Sequence, residues 1–486
     1  MAEKPSILDR YPDYRTDIGI EVHVQLNTAT KIFCGCSNAQ TDVPNNYICP
    51  VCCGHPGVLP VLNKEVVTNA IKAGLATNCT IAKKSLFARK HYFYPDLPKN
   101  YQISQDKEPI CTEGYLTITK EDGTEKKIRL IRIHIEEDAG KNIHATYSNE
   151  SFVDFNRTGT PLLEIVSYPD IESADEAKAY LKALRSLVQS LGISTGNMEE
   201  GSFRADTNVS VRKKDSPTLG TRCELKNINS FKFIGDAVEY EIERQIGVVE
   251  EGGKVIQQTR LWDTKNRVSQ PMRSKEEAAD YRYFTDPDLP IIEVDQAWIN
   301  EVQKNLPELP QQKFKRLQAE FGLTPYEADI LVEDMAVGTY YEAAARHKPS
   351  KNLINWVLRD FMGYLKEHKL TPETCKVTPQ KLADLVALID QGVINTAAGQ
   401  IVFAEVAQHG TQPEEVVKAK GLQQIADPAA LEKVVLEIIA ANPQVVEQYK
   451  SGKDKLFGFF VGQAMQKTQG KGDPAKLSEL LKKHLN

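Results

Sequence analysis

Up to about residue 295 the pattern of apolar and polar residues reads mostly as strands and turns. In Glu21-Val22-His23-Val24-Gln25-Leu26 every second residue is apolar, so Val22, Val24 and Leu26 share one face of a strand and Glu21, His23 and Gln25 the other. The stretch 128–137 repeats the period, with Ile131, Ile133 and Ile135 opposite Arg132, His134 and Glu136. Segments 203–212 and 254–262 read as further strands, the first with Arg204, Asp206, Asn208 and Ser210 on one polar face. Helical periods interrupt at 63–76 and 173–191. These elements predict an α+β fold, with a large cradle-like N-terminal domain around a mixed or antiparallel sheet.

The pattern changes near Pro307 and Pro310, beyond which helical periods carry strong start signals. Thr324-Pro325-Tyr326-Glu327 offers an N-cap hydroxyl, a proline at the first helical position and a capping-box glutamate. Thr371-Pro372 and Thr378-Pro379 repeat the cap and proline, and Gly410 reads as a stop. Beyond it Val434, Val435, Ile438 and Ile439 form an apolar helical side. The expected division is a cradle domain over 1–300, a helical domain over 301–410 and a small, mobile helical tail domain over 411–486.

Composition adds limits. The 486 residues suffice for about three domains. No apolar run is long enough to span a bilayer, and Glu3 and Asp9 beside Lys4 and Arg10 argue against a transit peptide, so a cytoplasmic location is expected. The net charge of −6 does not exclude an RNA partner, which needs only a local basic surface. One candidate is the C-terminal end, where Lys450, Lys453, Lys455, Lys467, Lys471, Lys476, Lys482 and Lys483 face only Asp454, Asp473 and Glu479; a solvated lysine-rich face explains the same charges.

The sharpest chemical signal is Cys34-Gly-Cys36 and Cys49-Pro-Val-Cys52. Two close pairs separated by a short loop deliver four thiolates to one tetrahedral zinc, with Gly35, Pro50 and Gly54 permitting the turns. Buried free cysteines are the competing reading. Disulfides fit less well, since nine cysteines are odd and sparse for this length. Cys53 directly follows Cys52 and is left out of the site, and Cys79, Cys111, Cys223 and Cys375 are isolated.

A second signal is Glu136-Glu137-Asp138, three carboxylates that end a strong strand before Gly140-Lys141. Like charges this close repel unless water, cations or basic side chains neutralise them, and magnesium prefers such oxygen ligands. An acidic hairpin turn is the plain alternative. The runs Arg89 to Lys99, Asn156 to Glu164, Met198 to Asp206 and Arg222 to Ser230 add basic, aromatic and acidic groups suited to phosphates. No Walker-type phosphate loop, dinucleotide glycine motif or hydrolase nucleophile elbow occurs. The residues alone therefore point to a zinc-stabilised α+β domain with a magnesium and phosphate site, and do not name the acceptor.

Several strings closely resemble the B-subunit family of aspartyl/glutamyl-tRNA(Asn/Gln) amidotransferases. They are Gly19 to Leu26, Cys49 to Cys52 followed by Gly54-His55-Pro56-Gly57-Val58-Leu59-Pro60, His134 to Lys141, Phe155 to Leu162, Glu224 to Ser230, and Tyr281 to Leu289. The resemblance runs from about residue 11 to the end, without room for the inserted domain of the archaeal-type relatives. It implies ATP-dependent transamidation of mischarged Glu-tRNA(Gln), Asp-tRNA(Asn) or both. On that resemblance the side-chain carboxylate is expected to be phosphorylated by this subunit, with ammonia arriving through a channel from a glutaminase A subunit in a heterotrimer with a small C subunit. Assembly with an aminoacyl-tRNA synthetase is a further implication. Glu21, His23, Glu136 and Glu224 are then expected to hold magnesium, with Glu137 a further catalytic candidate, while Lys90, Glu200, Arg204 and Lys226 serve ATP or the aminoacyl carboxylate. The competing expectation is a noncatalytic zinc-containing RNA-binding scaffold that positions tRNA for another enzyme.

Overall fold

The alternating segments pair side by side in the computed structural model, which describes residues 7–120, 122–145, 149–272, 280–425, 427–451, 453–468 and 470–485. Glu3 and Lys4 lie outside the described residues. The chain divides into a unit over Met1–Lys313 and a second over Phe314–Asn486.

The first unit is α+β and is built on a nine-stranded sheet. From edge to edge its strands are Val268–Pro271, Gln258–Asp263, Cys223–Lys226, Phe203–Lys213, Tyr14–Gln25, Pro161–Ser167, Glu125–Glu137, Cys111–Thr119 and Thr80–Ile81. Only the Cys223–Lys226 and Gln258–Asp263 pair is parallel, which makes the sheet mixed. Tyr14–Gln25 lies at the centre, antiparallel to a neighbour on each side.

The two faces differ as the alternation requires. Ile18, Ile20, Val22 and Val24 are fully buried with Ile133, Ile135, Leu163, Ile165 and Val209. The same core takes Val66, Val67, Ala70 and Ile71 from helix Lys64–Ala76, and Ala177, Tyr180, Leu181 and Leu184 from helix Ala174–Ser190. Ile234, Val238, Ile242 and Ile246 enter it from helix Phe231–Glu250. Each such side chain contributes about 1.5–3 kcal/mol by leaving water, so a one-residue register slip, which would turn His23 inward and Val22 outward, is strongly disfavoured. The opposite face keeps its polar residues. At the Glu137 end of the large sheet lies a three-stranded sheet of Ala88–His91, Tyr101–Ser104 and Phe284–Thr285. The contact runs through Ile103 N–H donating to Glu137 Oε1 at 2.9 Å.

Two local expectations need correction, and one helix is missed. The strand expected over 254–262 spans Gln258–Asp263, so its first residues are not strand. Helix Phe231–Glu250, capped by Ser230, is not predicted by the hydrophobic pattern. Its core stripe includes Glu241 and Gln245, both fully buried, and these break the apolar period. They are accommodated by partners: Arg244 donates to Glu241 at 2.6 Å and Gln245 to the Val209 carbonyl at 3.0 Å. Thr371-Pro372 starts a turn, not a helix, with Thr371 N–H bonded to Thr374 Oγ1 at 2.9 Å.

The second unit is helical. The Thr324 capping box and the Thr378 cap form as expected, and Gly410 ends its helix in the left-handed region at φ 72°. One core runs from Leu317 to Val417 and another from Leu431 to Leu485. Val434, Val435, Ile438 and Ile439 all join the latter. No helix among the described residues is long and apolar enough to cross a membrane.

Candidate functional site

Cross-strand register assembles the polar face. His23 lies directly opposite Glu164 on one side and Arg204 on the other, and Glu164 lies opposite His134. Residues opposed in an antiparallel pair share a face, so His134, Glu164, His23 and Arg204 form one row across four strands. Glu136, two residues along from His134, completes a compact cluster. His23 Nε2 is 3.4 Å from Glu136 Oε1 and 3.5 Å from Glu164 Oε2, while His134 Nε2 is 3.0 Å from Glu164 Oε2. Ser104 of the small sheet donates to Glu136 Oε2 at 3.3 Å.

The electrostatics follow from burial of opposite charges. Burial alone would lower the His134 pKa, but Glu164 and Glu136 outweigh it and raise it to about 9. The same contest raises His23. Burial works to raise the Glu164 carboxyl, yet His134 and His23 hold it well below its ordinary range. One ligand atom each from His23, Glu136 and Glu164 lie within 4.8 Å of one another. Two carboxylates and an imidazole could hold a divalent cation, which would bring a positive charge able to bind water or phosphate oxygen.

A second group lies one row away. Glu21 is opposite Asp206, and Asn208 is opposite Glu224. Asn208 donates to Glu21 Oε1 at 3.2 Å, and Thr259 donates to Glu224 Oε2 at 2.7 Å. Lys226 bridges Asp206 at 2.5 Å and Glu224 at 3.0 Å. Burial and then the charges of Glu164, Glu224 and Asp206 raise the Glu21 pKa, with Lys226 opposing them. The expected quartet Glu21, His23, Glu136 and Glu224 is thus distributed over both groups, with His23 and Glu136 in the first and Glu21 and Glu224 in the second.

The remaining candidates surround these groups. Lys90 extends past the Tyr281 ring, 4.8 Å from its centroid. Its pKa is raised because Glu136 and Glu164 outweigh the effect of burial. Arg204 donates to Asp138 Oδ2 at 2.9 Å, which also accepts from Gln25 at 2.8 Å. Glu137 is buried on the other side of its strand from Glu136, ion-paired with Lys99. Glu200 is exposed on the turn before Phe203–Lys213. His91 stacks on Phe284 with centroids 5.2 Å apart, while Phe93 and Tyr94 are exposed.

Sequence pattern names Glu164 and Asp206 only as members of runs suited to phosphates and His134 only as a polar-face residue, and does not single any of them out as a site residue. Their signal is the register itself, since each sits opposite a residue that the pattern does single out or one of its partners. Asp138 likewise binds Arg204 and Gln25 rather than standing alone on a turn.

The four cysteines converge near the Glu137 end of the sheet. One sulfur from each of Cys34, Cys36, Cys49 and Cys52 lies within 4.8 Å of the others, and Cys49 and Cys52 Sγ are 3.9 Å apart. A tetrahedral metal with sulfur at about 2.3 Å sets sulfurs roughly 3.8 Å apart, so the quartet has the size of a closed thiolate shell. Cys53 falls outside the quartet. A cavity of about 30 Å³ beside the quartet is lined by Cys34, Cys52, Lys99, Tyr101, Glu137 and Gly159. In the tail, Lys453, Lys455 and Lys476 are exposed, whereas Lys467 and Lys483 pair with Glu437 at 2.6 Å and Glu432 at 3.2 Å.

Comparison with known proteins matches both units. The profile of the GatB/GatE catalytic domain covers residues 16–300, and that of the GatB domain covers 339–485. The chain is 54% identical over 477 residues to the B subunit of aspartyl/glutamyl-tRNA(Asn/Gln) amidotransferase from Geotalea daltonii, covering 97% of this chain and 99% of that protein. The corresponding proteins of Myxococcus xanthus and Geobacter sulfurreducens are each 52% identical, over 474 and 477 residues, with the same coverage.

Proposed function

The chain belongs to the B-subunit family of aspartyl/glutamyl-tRNA(Asn/Gln) amidotransferases, and we propose that its polar sheet face carries out the ATP-dependent activation in amidation of mischarged Glu-tRNA(Gln), Asp-tRNA(Asn) or both. It is one component of an ATP-dependent ligase. The observation that supports the site assignment is the convergence of His23, Glu136 and Glu164 beside Lys90 on an otherwise polar sheet face.

A carboxylate resists attack by ammonia because its oxygen is a poor leaving group. In the proposed first step an oxygen of the substrate carboxylate attacks the terminal phosphorus of ATP, the bond from phosphorus to the bridging oxygen breaks, and ADP departs. Ammonia then attacks the acyl carbon, loses a proton and expels phosphate, leaving the amide. Magnesium held by His23, Glu136 and Glu164 would supply charge screening for the triphosphate. Lys90 and Lys226 steady phosphate oxygens from two sides, and Arg204, fixed by Asp138, orients the aminoacyl carboxylate. Glu21 and Glu224, with Asp206, form an acidic wall that takes a cation or a cationic substrate group. Glu137 positions Glu136 through its Lys99 pair, and Glu200 acts only at the rim of the cradle.

The wider proposal follows the family. A glutaminase A subunit supplies ammonia, a small C subunit completes a heterotrimer, and lysines such as Lys453 and Lys455 touch the tRNA, all in the cytoplasm and open to synthetase association. Zinc in the cysteine quartet has a structural role, because four thiolates leave it no open position. The test is transfer of labelled terminal phosphate from ATP to Glu-tRNA(Gln) and to Asp-tRNA(Asn) by the assembled complex without glutamine. Transfer is expected with the native chain and absent with Glu164→Gln; equal transfer by both would overturn the site assignment.

A further inference from the structure

One charged side chain beside the cysteine quartet is buried with no carboxylate to balance it. Lys31 is fully buried, and no ion pair to an acidic residue involves it among the described residues. Its ammonium donates to the Phe155 carbonyl at 3.3 Å and to Cys52 Sγ at 3.7 Å. Its backbone N–H is bound to the Cys36 carbonyl at 3.0 Å, inside the quartet's own loop, and the next residue, Ile32, donates to the Gly159 carbonyl at 2.9 Å. Gly159 adopts φ +79°, and a Cβ there would stand 3.6 Å from Lys31 Cδ and 3.7 Å from Cys52 Cβ. The left-handed backbone favours glycine at this point, where the chain passes closely over Lys31 and Cys52.

An unpaired buried ammonium is costly unless something anionic faces it. A divalent metal with four thiolates carries formally two negative charges, which supplies that anion. Hydrogen bonds to metal-bound sulfur also withdraw electron density from it and tune the ligand, as outer partners of metal sites generally do. We propose that Lys31 is the internal counter-cation of the zinc–thiolate cluster: it offsets one of the two excess charges through Cys52, damps the nucleophilicity of that sulfur and fastens the zinc loop to the 155–159 segment. Lys31 is a positioning residue, since it acts through the cysteine ligand. The proposal rests on reading the quartet as a zinc site.

The test uses the full-length chain with Lys31→Met, which keeps the length and removes the charge, and Lys31→Gln, which keeps a donor without the charge. Zinc content by elemental analysis comes first; a native protein without zinc would overturn the reading of the quartet itself. With zinc present, release to excess chelator is expected to be about tenfold or more faster in Lys31→Met. Lys31→Gln is expected to fall between it and the native protein. Maleimide labelling mapped by mass spectrometry is expected to rise selectively at Cys52, and the thiolate-to-metal charge-transfer bands of the cobalt-loaded protein are expected to shift to lower energy. A merely space-filling lysine would move none of these readouts in a folded variant. Unchanged zinc release, Cys52 labelling and cobalt spectrum in either folded variant would overturn the proposal.

Discussion

Among the described residues, the two clusters able to hold a metal are built in opposite ways. The cysteine quartet comes from one loop, residues 34–52, and its four sulfurs fill a tetrahedral shell. The His23, Glu136 and Glu164 cluster draws one ligand from each of three strands of the central sheet and leaves coordination positions open. A closed shell stabilises, whereas an open one can accept substrate oxygens. On the proposed function the loop serves structure and the sheet serves chemistry, and the two meet around Glu137 and the small cavity beside Cys52.

Variants sharpen that contrast in order of effect. Glu164→Gln removes one carboxylate charge and leaves half-buried His23 and buried His134 with Glu136 as their remaining shared partner. Amide formation is expected to fall roughly a thousandfold or more while glutamine hydrolysis by the complex persists. Steady-state assay of both reactions checks this, and near-normal amidation would remove the cluster from the chemistry. Cys49→Ser is expected to act on stability instead. Zinc is lost and the thermal midpoint drops by roughly 5–10 °C, read by calorimetry. Amidation well below that midpoint should suffer far less than in Glu164→Gln, and the reverse order would break the division of labour.

A smaller effect is expected from Lys226→Met. Asp206 and Glu224 then face Glu21 without their cation, so the Michaelis constant for ATP should rise roughly tenfold. No change would detach the second group from ATP. The smallest effect concerns the tail. Ending the chain after residue 425 removes the Leu431–Leu485 core while keeping Val416 and Val417, which pack in the other helical core. The tRNA Michaelis constant should rise several-fold and its salt dependence flatten, with glutamine hydrolysis unaltered. Unchanged tRNA dependence would exclude the exposed lysines as contacts.

The same contrast explains how much of the molecule is legible in its sequence. The quartet is legible because its geometry is local, with spacing along one loop standing in for distance. Glu21, His23 and Glu136 are legible because each falls on the polar face of a clean alternation. Glu164 is not, for every residue of Pro161–Ser167 is buried and the period vanishes there. Only its pairing with His23 and His134 reveals it, and pairing between residues so far apart in the chain is not written in either strand alone. Helix Phe231–Glu250 escapes for a related reason. Glu241 and Gln245 occupy its core stripe because Arg244 and the Val209 carbonyl wait there to satisfy them. The split of the expected quartet between two groups likewise depends on Lys226 bridging Asp206 and Glu224.

The distinction between an open and a closed cluster is tested most directly by manganese binding to the folded protein, followed by electron paramagnetic resonance. The native chain and Cys49→Ser are expected to bind manganese with exchangeable waters that ATP displaces, whereas Glu164→Gln loses that binding. Manganese binding that survives Glu164→Gln unchanged, or disappears with Cys49→Ser in a folded protein, would contradict the account.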